Sequence, residues 1–232
     1  MAAVRERAVA LVVAVSTIVV LVGVGLAPFW SPIWVYPAQD RAHAEIWTGW
    51  PSDVVHSVTG SILHDVIIGP PDFAQVVDGR PVLTEGERAH MRDVHSVLSE
   101  VAVVVAAAAL VLLAGWRLTR RTAFWNAVRT GAAVLGVGVA ALGVMSVVAF
   151  DAVFELMHRL LFPAGTYAFE PSSRLLQLFP EQLFFESGIA LGAVLIVLAV
   201  IVVMAAGRLA RRAERGSMSA EDASLVVKGG SG

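Results

Sequence analysis

His90 and His158 are the residues of this chain best placed to do chemistry. Imidazole is the side chain that gives and takes a proton near neutral pH. Each stands just outside a long apolar run: His90 ahead of residues 97–116, His158 beyond residues 127–150. Helical rise places both near one membrane surface, where the headgroup of an amphiphile would lie. One interfacial histidine reads most simply as a hydrogen-bonded structural residue. Two at one level bring proton transfer into competition with that reading. Asp93, three residues after His90, shares its helical face and can fix its tautomer; equally, it can complement the helix dipole. His90, Asp93 and His158 could also make a zinc set with an open position, although no H-E-x-x-H spacing is present. His95 lies roughly 140° round a helix from His90, so the two cannot aim at one point. His43, His56 and His64 read as solvated.

The elements that position these rings are apolar helices. The chain has 232 residues, 57% of them hydrophobic, with a mean hydropathy of +0.74. Four runs, 8–29, 97–116, 127–150 and 184–207, are each long enough to cross a ~30 Å hydrocarbon core. The expected fold is an all-α polytopic membrane protein, four transmembrane helices under an extracytoplasmic cap built from two outer segments. There is no cysteine, which excludes a disulfide framework, a thiol nucleophile, a Cys-type zinc site and a lipid-modified N-terminal Cys. No basic stripe with interleaved aromatics points to nucleic acid. Ser52, Ser57, Ser61, Ser172 and Ser173 lack the glycine pattern of a nucleophile elbow.

Charge sets the expected orientation. With a cytoplasmic N-terminus, eleven of the 17 basic residues fall inside: Arg5, Arg7, Arg117, Arg120, Arg121, Arg129, Arg208, Arg211, Arg212, Arg215 and Lys228. Arg41, Arg80, Arg88, Arg92, Arg159 and Arg174 fall outside. Short basic inner connections are where the positive-inside rule is strongest. Among the acids only Glu6, Glu214, Glu221 and Asp222 lie inside. The first run exceeds a ~7–15-residue signal core and lacks an A-x-A site, so it reads as an uncleaved anchor.

The organisation expected is therefore a cytoplasmic lead 1–7, span 8–29, cap segment 30–94, span 97–116, basic loop 117–126, span 127–150, cap segment 151–183, span 184–207 and a cytoplasmic tail 208–232, disordered after about residue 215. Trp30, Trp34 and Tyr36 suggest an outer aromatic belt. In the first cap segment Ser52 looks like the N-cap of a helix reaching Ile67, which Gly69, Pro70 and Pro71 end. Asp78-Gly79 marks a turn. Thr84 and Glu87 have capping-box spacing, and their helix runs on into the second span. Gly131, Gly136, Gly138 and Gly143 suit close helix approach in lipid. The second cap segment keeps helical periodicity from Asp151 to Phe162. Pro163, Gly165, Pro171 and Pro180 then turn it repeatedly, and it is dense in aromatic residues.

The run Leu83-Thr84-x-x-Glu87-x-x-His90-Met91-x-Asp93-Val94 resembles the E-x-x-H-M-x-D-V signature of the bacterial lipoprotein intramolecular transacylases. Phe154-x-x-x-His158, Gly165, Phe169 and Leu175-Leu176-x-Leu178-Phe179-Pro180 resemble a second block of that family; Tyr167 stands where the family usually has Trp. The resemblance implies four membrane helices under a cap, with His90 and His158 catalytic at their junction. It implies supporting roles for Glu87 and Asp93, and acyl-binding roles for Phe154, Tyr167, Phe169, Phe179 and Phe184. The implied substrate is a diacylated lipoprotein in the cell membrane, whose sn-2 acyl chain moves to the amine of its own N-terminal cysteine. The product is a lyso-form lipoprotein, with membrane lipids as surroundings and no cofactor or metal. Such a reaction carries its own nucleophile, consistent with the lack of a Cys or Ser candidate. The alternatives are a metal-dependent membrane hydrolase at the outer leaflet and a non-catalytic membrane protein with a partner-binding cap. Oligomeric state is not legible.

Overall fold

The computed structural model describes residues 2–229. Helix α1 (Ala2–Leu26) gives way to a 3-10 turn (Ala27–Trp30) at Pro28, which has no N–H for an α-helical ladder. Two short helices follow, α2 (Pro32–Arg41) and α3 (Ala44–Thr48). Helix α4 (Ser52–Ile67) begins one residue earlier than a Ser52 cap requires. Its N-cap is Pro51, held extended at φ −57° and ψ 150°, and the amides of Val54 and Val55 bond its carbonyl at 3.0 Å. The Asp78-Gly79 turn joins strands β1 (Val76–Val77) and β2 (Arg80–Pro81) in an antiparallel pair.

Helix α5 (Glu85–Leu118) carries the capping box. Glu87 Oε2 accepts from the Thr84 amide at 2.6 Å and the Thr84 hydroxyl at 2.8 Å. In return, the Glu87 amide donates to Thr84 Oγ1 at 3.3 Å. Helix α6 (Arg121–Val148) breaks at Ala149, and the amphipathic α7 (Phe150–Leu161) follows. Helix α8 (Arg174–Leu178) is capped by Ser173, and α9 covers Glu181–Gly229. Where the sequence suggested disorder after residue 215, the backbone stays helical. Glu214, Arg215, Met218, Ala220, Glu221 and Ala223 are good helix formers, outweighing Gly216 and the serines.

Stretches of α1, α5, α6 and α9 are long and apolar enough to cross a membrane: Val4–Trp30, Glu85–Leu118, Arg121–Gly143 and Glu181–Met218. Val103, Val104, Leu110 and Leu113 on α5, and Val197, Val200, Ile201 and Met204 on α9, are exposed. Such apolar outward surface is what a lipid solvent requires. The protein is an all-α polytopic membrane protein.

The chain divides into two compact units. One comprises Met1–Val22, Val104–Ala140 and Leu195–Gly232. Val13, Phe124, Ala127, Val128 and Ala206 form one buried cluster there, and Leu21, Ala132 and Leu135 another. Gly131 has a packing reason: a Cβ there would stand 2.3 Å from the Ala14 carbonyl oxygen.

The second unit comprises Gly23–Val103 and Ala141–Val194. Its largest core gathers Ile62 and Val66 of α4, Phe73, Val82, Leu83, Met91 of α5, and Leu175 and Leu178 of α8. Gln39 of α2 is fully buried and donates to Thr59 Oγ1 at 2.8 Å and the Leu178 carbonyl at 2.6 Å. Trp30 and Trp34 pack against buried residues of this unit, and Tyr36 stacks on His56 at 4.4 Å. These aromatics thus have packing partners besides any belt role.

Candidate active site

Helix α5 brings His90 into the second unit about six residues before the apolar run 97–116, and α7 brings His158. Their ring centroids lie 6.1 Å apart, inclined by 23°. Aromatic rings surround the pair. Phe162 meets both, 4.9 Å from His90 and 5.5 Å from His158. Phe169 lies 5.6 Å from His90. Phe154 and Tyr167 lie 4.3 and 5.2 Å from His158. Phe184 and Phe150 back Phe154 at 5.3 and 5.5 Å. Gly165, at φ +85°, turns the chain so that Phe162 and Tyr167 can both face the histidines.

The two imidazoles are held differently. His158 Nδ1 lies 2.8 Å from the Phe154 carbonyl, one turn back on α7. A carbonyl can only accept, so Nδ1 carries a proton, and in the neutral ring Nε2 is then the acceptor. His90 is only 7% exposed, and its Nδ1 has no hydrogen-bond partner among the described residues. Burial first, and then the neighbouring His158, hold the His90 imidazole down to about 4, with Asp93 opposing them through its charge. His90 is therefore neutral at neutral pH.

Glu87 is buried one turn from His90, yet its bonds go elsewhere. Besides Thr84, it accepts from the Ser173 hydroxyl and from the Leu175 amide at 3.0 Å. Burial raises its carboxyl, but these four donors outweigh it and leave it below the usual carboxylate range. The clamp ties the start of α5, and so His90, to α8. Asp93 makes no hydrogen bond to His90 among the described residues, so its influence there is through charge alone. His95 is engaged at the end of α4, where its Nδ1 donates to the Val66 carbonyl at 2.9 Å.

Of the residues singled out in the sequence, His90, His158, Phe154, Tyr167 and Phe169 come together, with Phe184 behind them. Phe179 instead packs against both buried clusters of the second unit. Phe162, one of the aromatics of the second cap segment though not among the expected acyl contacts, joins the cup, and so does Phe150, which the sequence does not mark. Phe162 is one helical turn after His158, and that spacing was the available signal. Among the described residues, no three of His, Asp and Glu converge as a metal-holding group, so His90, Asp93 and His158 are not such a set.

Membrane-length helices and paired imidazoles in an aromatic cup define a polytopic membrane protein with a site suited to proton transfer. The sequence profile described as lipoprotein intramolecular transacylase Lit matches residues 11–185, most of the chain, and the protein belongs to that family of enzymes. Its fold is similar to that of the integral membrane lipoprotein intramolecular transacylase Lit from Bacillus cereus. The TM-score is 0.76 and identity 17%, over 91% of this chain and 98% of that one. Solved forms of the Bacillus cereus protein with a histidine-to-arginine or a histidine-to-alanine substitution are also similar, each with a TM-score of 0.69. Their identities are 17% and 16%, with coverage of 92% and 91% of this chain and 95% and 96% of theirs. No curated protein sequence matches this chain.

Proposed function

We propose that the protein moves the sn-2 acyl chain of a diacylglyceryl-cysteine lipoprotein to that cysteine's own α-amine, and that His90 and His158 handle the protons. The observation that carries this is the imidazole pair, 6.1 Å apart and walled by aromatic rings.

The substrate amine attacks the ester carbonyl, so a C–N bond forms and the C–O bond to the glycerol breaks. His158 Nε2, with its free lone pair, takes the proton the amine must lose. His90 sheds least energy with its proton on Nε2, because a buried N–H without a partner costs more than an unfilled lone pair. Its Nε2–H then donates to the oxygen that gains charge. The proton on His158 passes to the departing glycerol oxygen, and the products are an amide and a free hydroxyl. The aromatic cup excludes water, which favours the amine over hydrolysis. Holding amine and ester together supplies a large part of the rate.

The same reading puts both termini in the cytoplasm and the histidines at the outer face of the cell membrane. The imbalance of basic residues supports that orientation.

The test uses cells lacking any other N-acylating enzyme, with and without this protein. Fragmentation of one lipoprotein's N-terminal peptide by mass spectrometry distinguishes diacylglyceryl-cysteine from N-acyl, monoacylglyceryl-cysteine of equal mass. A protein-dependent conversion, lost in His90→Ala and His158→Ala, is expected. Unchanged fragments with the protein present would reject the reaction.

A further inference from the structure

We propose that a groove beside α5, mainly apolar at its inner end and mainly polar at its outer end, binds the polypeptide of the substrate, the first few residues after its modified cysteine. The inference rests on the transacylase reading and adds a peptide subsite to it.

Two adjoining cavities form the groove. The nearer, of about 330 Å³, is bordered by Phe169, Glu87, Thr84, Ser172, Ser173 and Arg174. The farther, of about 420 Å³, is bordered by Arg174, Trp50, Arg80, Pro81, Val77 and Asp78. Arg174 belongs to both walls. Phe169 is the inner end, with its ring against His90. The groove therefore starts one side chain from the reacting groups.

Its direction follows from the sequence. His90, Glu87 and Thr84 lie successively toward the start of α5, and Pro81 and Arg80 precede them. The apolar run 97–116 lies the opposite way. A lipoprotein's acyl chains belong with the apolar run, and its polypeptide must leave away from it.

The chemistry of the walls agrees. An extended peptide offers one carbonyl and one amide per residue and needs partners for both. Arg174 is already fixed, with NH1 donating to the Thr48 carbonyl at 2.6 Å and to Gln177 Oε1 at 2.8 Å, and its guanidinium 4.5 Å over Trp50. Fixed at one end, it presents its remaining N–H groups without further ordering cost. Arg80 is exposed and has no carboxylate within salt-bridge distance among the described residues. Ser172 can donate or accept along the same wall.

The reach is also defined. Six residues of helix, from His90 to Thr84, rise roughly 9 Å. An extended chain covers that in roughly three residues, and the farther cavity holds one or two more. Binding should thus be felt to about the fifth residue after the cysteine.

Synthetic diacylglyceryl-cysteine peptides test this, with one to eight residues after the cysteine, given to the full-length purified protein in detergent micelles. We expect kcat/KM to rise about tenfold as the peptide lengthens, mainly through KM, and to level off near five residues, since a few hydrogen bonds are gained. Arg80→Ala should lower kcat/KM several-fold more for the eight-residue peptide than for the one-residue peptide. Equal kcat/KM at all lengths overturns the groove while leaving the transacylase reading intact. Equal loss at both lengths in Arg80→Ala also overturns it. If no length is converted by protein shown to be folded, the transacylase reading falls, and the groove falls with it.

Discussion

Glu87 and Leu175 are 88 residues apart in the chain, and the Leu175 amide donates to the Glu87 carboxylate at 3.0 Å. The same oxygen accepts from the Ser173 hydroxyl, and the other is bonded twice by Thr84. A single buried carboxylate thus caps one helix and seats another.

Glu87→Gln should be costly because the carboxylate is buried among donors. An amide keeps one acceptor and points two new N–H groups at groups that themselves donate. Leaving a buried amide unmatched costs about 1–3 kcal/mol, more where a charged acceptor is lost. The expected outcome is a lower Tm and reduced turnover together, because His90 sits one turn along the helix that loosens. Unchanged melting in detergent would contradict the clamp. The carboxyl is held below its usual range, so its contribution is present above the unfolded pKa and is lost as pH falls through the folded one.

His90 gives a second pH signature. Its folded pKa, about 4, lies below the ordinary value of 6.5. The unfolded chain therefore binds more protons between those values, and stability rises with pH across that window. His90's share is intact above about 6.5 and falls away toward 4, by roughly 3 kcal/mol at most. Melting curves of wild type and His90→Gln from pH 7.5 to 4.5 test this. The wild type should lose more over that range; parallel losses would reject the assignment.

Phe162 touches both imidazoles and holds their spacing. Phe162→Ala opens the cup to water and frees both rings. A displacement of ~1 Å at reacting groups can cost about 100-fold in rate. The expected result is a fall of about 10–100-fold in kcat, with KM changed much less. Part of the substrate should also be hydrolysed to free fatty acid. Quantifying free fatty acid against N-acylated product decides it: wild-type rate and product ratio would remove Phe162 from the site.

Much of this arrangement was legible from short-range patterns. The box Thr84-x-x-Glu87 is a local signal, and the structure realises it in three hydrogen bonds. The apolar runs and the helix around His158 are equally local. What the sequence hides is long-range. Nothing at position 87 announces that its second oxygen serves Ser173 and Leu175. Nothing at Phe179 separates an acyl contact from a core residue. Asp93 sits at the right helical spacing to orient His90 but makes no bond to it. The helices α2 and α3 leave little local signal because they are short, and their stability comes from buried contacts such as Gln39 with Leu178.

Gly131 offers a test of the other unit. A Cβ there would lie 2.3 Å from the Ala14 oxygen and 3.0 Å from its carbonyl carbon, both of them backbone atoms that cannot swing aside. α1 and α6 must therefore separate locally to admit even alanine. In lipid, helix association depends on close packing, because apolar burial supplies little drive. Overpacking costs about 1–3 kcal/mol in a well-packed core. Gly131→Ala should lower Tm and the yield of monodisperse protein, and Gly131→Leu should do so further. Gly138, with open space where its Cβ would be, is the control: Gly138→Ala should melt like wild type or slightly higher. Equal behaviour of the two alanine variants would mean that the Gly131–Ala14 approach does not hold these helices together.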